Sequence, residues 1–542
     1  MAQKHTLEEL NNCSREELIT IVLMMQGQLD ALNDNIEKLI EQVRIANNYR
    51  FGKHTETLKA IEGQLSFFDE AEAACDESSK EPSAEEVLPA KRTVKKKGQR
   101  DLDLKDFPEE ILPPYSVSEE QLDAFYGKNN WRRMPDETYK RLRHEPESWT
   151  VEIHTVEVYV GTDGDHQDEF LRGSRPKDLL RNSIVTPSLL ASILNVKYVN
   201  SSALHRIEQE FQRNGVNISR QTMSNWIVKC SQMYFAPFVE RMKQELLSLH
   251  VTQSDETPTQ VIADSDHPNS KCYMWVHRSG EFYTKRPIVV YEYQKGRDHQ
   301  KPLDFYKDYK GVLVTDSLQQ YHLVDKKLPD VTNANCWAHA RRDFADAVKA
   351  ADKKDPSSVR QSVAYQALQK IAEFYNADTE LKGLSSKERL QKRQEVIKPM
   401  VEEFFAWVKQ QVSDCTVPPK SKTGQGLNFV INQEKYLRIF LEDGDVPIDN
   451  SASERAIRTF CLGKKNWMFH NTAKGASSSA MVYSISETAK LNQLRPYYYF
   501  KYILTELPKL CDEKGNIDPA KLDHLMPWSD SLPDECRKPR RL

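Results

Sequence analysis

"HVTQSDETPTQVI", residues 250–262, is an apolar-alternating run that meets two adjacent carboxylates, Asp255 and Glu256, and then Thr257 and Pro258. Asp and Pro both favour turns, so this stretch taken alone is equally a strand that merely stops. A chemical reason for the acids requires further carboxylates brought to the same place from elsewhere. Two other stretches offer them. "GVLVTDSLQQYH" (311–322) reads as an apolar strand ending in Asp316, 61 positions after Asp255 (316 − 255). In "VPIDNSASERAIRTFCLGKKNWMF" (446–469), Asp449 or Asn450 caps a helix, Glu454 lies four residues beyond Asn450 on the same face, and Arg458 lies four further. The alternation predicts that Asp255 ends its strand and that Glu256 faces away from it.

The surroundings read as a mixed α/β core. "CYMWVHRS" (272–279) and "RPIVVYEY" (286–293) predict two more strands, and "NANCWAHARRDF" (333–344) a strand running into a helix. Residues 249–335 and 431–490 are then the two halves of a core. The stretch between is rich in Ala, Glu, Lys, Gln and Arg and predicts a helical insertion over 336–430. Cys336 and His339 make a CxxH at its entrance, a pair that zinc would have to supplement with two more ligands.

Composition sets the outer limits. A chain of 542 residues holds roughly three to four domains. Its mean hydropathy of −0.68 and 29% charged residues predict a polar cytoplasmic protein, and no stretch approaches membrane-spanning length. The nine cysteines form no CxxC pair, which predicts reduced thiols. A net charge of −4 announces no polyanionic partner, so charge has to be read locally.

Toward the amino terminus, Leu18, Val22, Met25, Leu29, Leu32, Ile36, Leu39 and Val43 fall at alternating steps of four and three. That a/d seam predicts a coiled-coil helix over 1–60 and a homo-oligomer, with a dimer as the simplest case. Residues 61–100 read as a linker, acidic at first and then basic in "KRTVKKKGQR" (91–100), which is either solvated or a loose phosphate contact. Residues 101–165 predict a small β unit. In 166–248, "SALHRIEQEFQRNGVNISRQTMSNWIVK" predicts two helices broken at Gly215, with Ser219 as N-cap of the second. This is a helix-turn-helix pattern, and Arg220, Gln221, Ser224 and Asn225 form its polar, DNA-reading candidate face; the alternative is scaffolding. Residues 491–542 form a C-terminal region.

The stretches "DETPTQV", "VTDSLQQYH", "CWAHARRDF", "DNSASERAIR", "GKKNWMF" and "SISETAKLN", in this order, resemble the transposases of the insertion-sequence 66 family. "YRFGKHTE" and "KYVNSSALHRIEQEF" match in kind and order. The resemblance covers most of the chain and implies a DDE enzyme with a ribonuclease H-like core inside a multidomain α+β protein. It implies Asp255, Asp316 and Glu454 as the catalytic metal ligands, and it draws His339 and Asn450 toward the same site. The basic residues Arg341, Arg455, Arg458, Lys464 and Lys465 then join the DNA-binding set. In-line attack on a phosphodiester builds charge on both entering and leaving oxygens, which two divalent ions about 4 Å apart can stabilise. Three carboxylates suit two Mg²⁺ ions, with Mn²⁺ as a substitute, and no zinc is expected. The implied partners are DNA (element ends and target) and small accessory proteins, with no membrane, in a nucleoid-associated setting. Two features depart from the family pattern: residues 101–165 hold no cysteine for the family's zinc-binding unit, and Gln320 replaces the glycine common before Tyr321. A catalytically silent DNA-binding regulator and a nuclease without strand transfer are the alternative readings.

Overall fold

In the computed structural model, the described residues are 177–538 apart from 265–270, 299, 351–355 and 513–514, together with two short strands and the single residues Ser14, Arg15 and Trp149. The chain divides into one unit of residues 1–70 and 177–538 and another of 71–176 and 539–542. In the latter, β1 (Val158–Val160) pairs antiparallel with β2 (Phe170–Arg172). The first of these strands closes the run "SWTVEIHTVEVYVG", and its partner comes from beyond residue 165. The coiled-coil seam, the linker and most of the 101–165 stretch lie outside the described residues.

The alternating runs of the other unit build one five-stranded sheet in the order β5-β4-β3-β6-β7. β3 (Val251–Thr259), β4 (Cys272–Ser279) and β5 (Val289–Gln294) form an antiparallel meander. β6 (Gly311–Thr315) runs parallel to β3 from Val251↔Val312 to Gln253↔Val314, and β7 (Val331–Asn335) runs parallel to β6. Gly311 is required where β6 begins, because a Cβ there would collide with the His250 carbonyl. One sequence expectation is corrected: β3 does not end at Asp255 but continues to Thr259, paired with β4 throughout. Its pairing with β6 stops at Gln253, so Pro258 sits where one side of the strand has no partner to miss its N–H.

Helices cover both faces. α1 (Pro187–Leu194), α2 (Leu204–Arg213), α3 (Arg220–Cys230) and α4 (Ala236–Leu247) precede the sheet. Gly215, with φ 78°, turns the chain between α2 and α3, and the Ser219 hydroxyl caps α3 by accepting from the Thr222 N–H. α5 (Gln300–Tyr306) and α6 (Gln319–Lys327) link the sheet strands. α7 (Trp337–Ala350), α8 (Val363–Glu380), α9 (Lys398–Ser413) and α10 (Lys422–Asn432) occupy the stretch read as a helical insertion. α11 (Ser451–Trp467), α12 (Ala473–Leu491) and α13 (Pro496–Leu510) follow.

Strand alternation divides the apolar side chains between two cores. Leu313 joins Met274, Val290 and the helices before and after the sheet, whereas its neighbours Val312 and Val314 join the α7–α10 bundle. That bundle closes on Trp337, fully buried among Phe374, Phe404, Phe405 and Phe440, its indole N–H donating to the Leu437 carbonyl at 2.8 Å. Among the described residues no helix is long and apolar enough to cross a membrane.

Candidate active site

Asp255 lies on β3 two residues beyond its last pairing with β6, Asp316 follows β6 directly, and Glu454 stands in the first turn of α11. The acids thus gather where two parallel strands part, at their carboxyl ends, the usual place for a crevice in such a sheet. Buried amides lock α11 onto β3. Asn450 Nδ2 donates to the Ser254 carbonyl at 2.7 Å, and Gln253 Nε2 donates to Asn450 Oδ1 and to the Asp449 carbonyl, both at 3.2 Å. From β4, Arg278 Nη1 donates to the Ala452 carbonyl at 2.9 Å. The expected cap is divided accordingly: Asp449 Oδ1 accepts from the Ser451 N–H at 2.9 Å, while the fully buried Asn450 side chain serves the clamp instead. Glu454 is therefore held relative to Asp255 by groups within five residues of one or the other, together with Arg278 from β4.

Electrostatics show that the acids sense one another. Burial raises the Asp255 carboxyl well above the ordinary range, and Asp316, Glu256 and Glu454 push it further. Asp316 rises to about 7, through burial and then Glu256, with Arg297 working against them. Glu454 is raised by burial and Asp449, and Arg342, Arg458 and Arg455 oppose that. The Asp316 carboxylate also accepts from the Leu318 N–H across Ser317, whose φ is 75°.

Glu256, expected to face away from Asp255, sits within this field. Its side chain is 1% exposed; Arg297 Nε and the Tyr321 hydroxyl donate to its two oxygens, each at 2.7 Å. Alternation does turn it away from Asp255, but the opposite side of the strand is walled by Tyr321 and Arg297 rather than open to water. Tyr321 was signalled by its place in "VTDSLQQYH". Arg297 stands in a loop with no periodicity, and nothing in the sequence points to it.

His339 is brought to the site, its Nδ1 3.8 Å from Glu454 Oε1. Arg342 donates to Nε2 at 2.8 Å, and burial, with Arg342, lowers the imidazole to about 4. Cys336 is fully buried, its sulfur accepting from the Asn450 N–H at 3.1 Å, so it belongs to the same clamp. Half-buried Arg341 follows on α7. On α11, exposed Arg455 pairs with Glu281 at 3.3 Å, exposed Arg458 acts on Glu454, and Lys464 Nζ donates to the Pro258 carbonyl at 2.6 Å. Lys465 is exposed. On α3, Arg220, Gln221 and Asn225 are exposed and Ser224 is half-buried; Arg220 lies 3.4 Å from His205, and Gln221 donates to Asn225 at 3.3 Å.

The donor set of Asp255, Asp316 and Glu454 is oxygen only, half-buried and negatively charged, which fits a hard divalent cation. Among the described residues no three His, Cys, Asp or Glu side chains stand close enough to enclose a single ion.

Comparison with known proteins follows the same elements. The model of the Transposase IS66 family matches residues 182–478, from before α1 into α12, and the IS66 C-terminal element matches 484–528. The chain belongs to the IS66 transposase family. Two uncharacterized proteins of Sinorhizobium fredii are similar to this transposase along most of its length. One, y4hP, is 24% identical over 508 residues, covering 92% of this chain and 88% of its own. The other, y4qI, is 25% identical over 514 residues, covering 92% and 89%. The family match takes in all three acids, the clamp residues and the α2–α3 pair.

Proposed function

We propose that this transposase cuts the ends of its element and joins them to target DNA by a DDE mechanism, with Asp255, Asp316 and Glu454 as the catalytic carboxylates. The observation that carries the reading is the delivery of three half-buried acids to one sheet end by β3, β6 and α11, with Asp316 and Glu454 both repelling Asp255. The strand order, with three antiparallel strands followed by two parallel ones, supports a ribonuclease H-like core. Asp255, Asp316 and Glu454 would hold two Mg²⁺ ions, for which Mn²⁺ can substitute, and these would supply charge stabilisation to the entering and leaving oxygens. The protein's own groups do the rest. The Asn450–Gln253–Arg278 clamp fixes Glu454, and Arg297 and Tyr321 hold Glu256 in place. His339 accepts from Arg342 at Nε2, so its ring proton sits on Nδ1 and that N–H faces Glu454, where it can orient the carboxylate. In cleavage, water attacks phosphorus and the 3′-oxygen leaves as a free hydroxyl. In joining, that hydroxyl attacks a target phosphodiester, forming one P–O bond as another breaks.

Exposed α3 residues Arg220, Gln221 and Asn225, with Ser224, form a face suited to reading an end, and Arg341, Arg455, Arg458, Lys464 and Lys465 supply phosphate contacts near the acids. The a/d seam implies that the working form is a homo-oligomer, acting at the cytoplasmic nucleoid and open to small accessory proteins. A strand-transfer assay separates this reading from the silent regulator and the simple nuclease. Duplex carrying the inverted repeat that flanks the gene, ending in a free 3′-hydroxyl, is incubated with supercoiled plasmid and Mg²⁺. Plasmid-linked repeat is the expected product. End binding without products would favour the regulator, and nicking without joining would favour the nuclease.

A further inference from the structure

Beyond its two lysines, the motif "GKKNWMF" is left without a role by the carboxylate site, and its tip has an unusual conformation. α11 ends at Met468 with φ 68° and ψ −52°, and the Phe469 N–H donates back to the Trp467 carbonyl at 2.8 Å. This is a γ-turn of the rare, strained hand, on a residue that is not glycine. Three backbone bonds hold it there: His470 N–H to the Gln260 carbonyl at 2.9 Å, and the Ile262 and Ala263 N–H groups to the His470 and Asn471 carbonyls at 3.0 Å. Beneath the turn, Trp467 folds back over Gly463, where any Cβ would collide with its ring, and packs against Tyr198 and Tyr483. The strained turn is thus rigidly supported. It presents Met468, 67% exposed, and Phe469, 46% exposed, beside Ile262, 50% exposed. Large apolar side chains grouped on a fixed, strained tip mark a contact surface.

Charge identifies the occupant. From residue 455 to residue 486 the chain contains no Asp or Glu, but holds Arg455, Arg458, Lys464, Lys465 and Lys474. A polyanion with apolar flat groups inside it matches both features, and DNA is such a molecule. We propose that Met468 and Phe469 form a wedge that unstacks a base step near the cleaved phosphate, with Phe469 stacking on the displaced base; this rests on the DNA-cleaving reading above. Apolar side chains inserted at a base step disrupt its stacking, which an aromatic stack on the displaced base restores in part. Met468 lies 14 residues (468 − 454) beyond Glu454, which is about 21 Å of helix and bounds the affected base to within about six nucleotides of the scissile bond.

The test uses the full chain, without divalent ion, and inverted-repeat duplexes with 2-aminopurine placed singly at each position within about six nucleotides of the cleavage point. Wild type is expected to brighten one position several-fold. The double variant Met468→Ser/Phe469→Ser is expected to lose that signal while end binding by anisotropy weakens less than about threefold. Met468→Gly removes the backbone strain, so it should melt no lower than wild type and keep the signal through Phe469. No brightening by wild type, or equal brightening by the double variant, would overturn the wedge. A double variant that changes the oligomer mass but not the fluorescence would assign the patch to a protein interface and also overturn it. Metal-dependent cleavage by wild type tests the underlying reading separately, so the two failures are distinguishable.

Discussion

At Asp316, burial and the neighbouring Glu256 raise the carboxyl to about 7, against about 3.9 in an unfolded chain. The folded state therefore holds this proton more tightly. The resulting stabilisation is complete below pH ~4 and is lost as pH rises through about 7, leaving a charged, repelled carboxylate above it. Asp316→Asn removes that cost. Without divalent ion its melting temperature should match wild type near pH 4 and exceed it at pH 8, by on the order of 2 °C for each kcal/mol recovered. Adding Mg²⁺ at pH 8 should raise wild type and leave the variant nearly unmoved, because a cation bound only by the folded state stabilises it. A gain that is the same at pH 4 and pH 8 would mean that Asp316 carries no excess charge burden. Asp255, raised by burial and by three acids, should behave alike. Asp255, Asp316 and Glu454 were singled out because each stands at a predicted strand or helix end, although the end predicted at Asp255 is not one, since β3 runs on to Thr259. Glu256 turns away from Asp255 as alternation predicts, but alternation gives the direction of a side chain and not what waits there, and Arg297 reaches it from a loop 41 positions away.

Among the elements, β4 and β6 fall within a residue of their predicted runs, since largely buried strands leave a strong signal. β3 ran four residues longer than its turn residues suggested. Pairing with β4 overrode the local preference of Thr257 and Pro258, and such pairing is a property of two segments rather than one. The α7–α10 bundle was legible as helical, but its centre was not: Trp337 sits directly after Cys336, so one residue serves the insertion core and the next the α11 clamp. Trp337→Ala should cost about 3–5 kcal/mol. Measured by urea unfolding, that loss should be accompanied by greater protease sensitivity over residues 363–441. A cost below about 1 kcal/mol would mean that the aromatic cluster does not hold the bundle together.

At the scale of the whole molecule, one chain is proposed to combine an oligomerising seam, an end-reading helix pair and a carboxylate centre. The seam lies outside the described residues and rests on spacing alone, so Leu29→Asp with Leu32→Asp is its test. Charge placed at those positions should lower the mass in light scattering to that of a single chain and leave the melting of the sheet unit unchanged. An unchanged mass would remove the coiled coil from the account and leave the acids untouched. The central claim is that Asp255, Asp316 and Glu454 act together on one phosphodiester. It is tested most directly by following cleavage of end-labelled inverted-repeat duplex in Mg²⁺ by wild type and by Asp255→Asn, Asp316→Asn and Glu454→Gln separately, with end binding measured in parallel. Each variant is expected to bind the duplex within about threefold of wild type and to lose cleavage by at least about a thousandfold, since ligands rather than phosphate contacts are removed. Near-normal cleavage by any one of the three would contradict the claim.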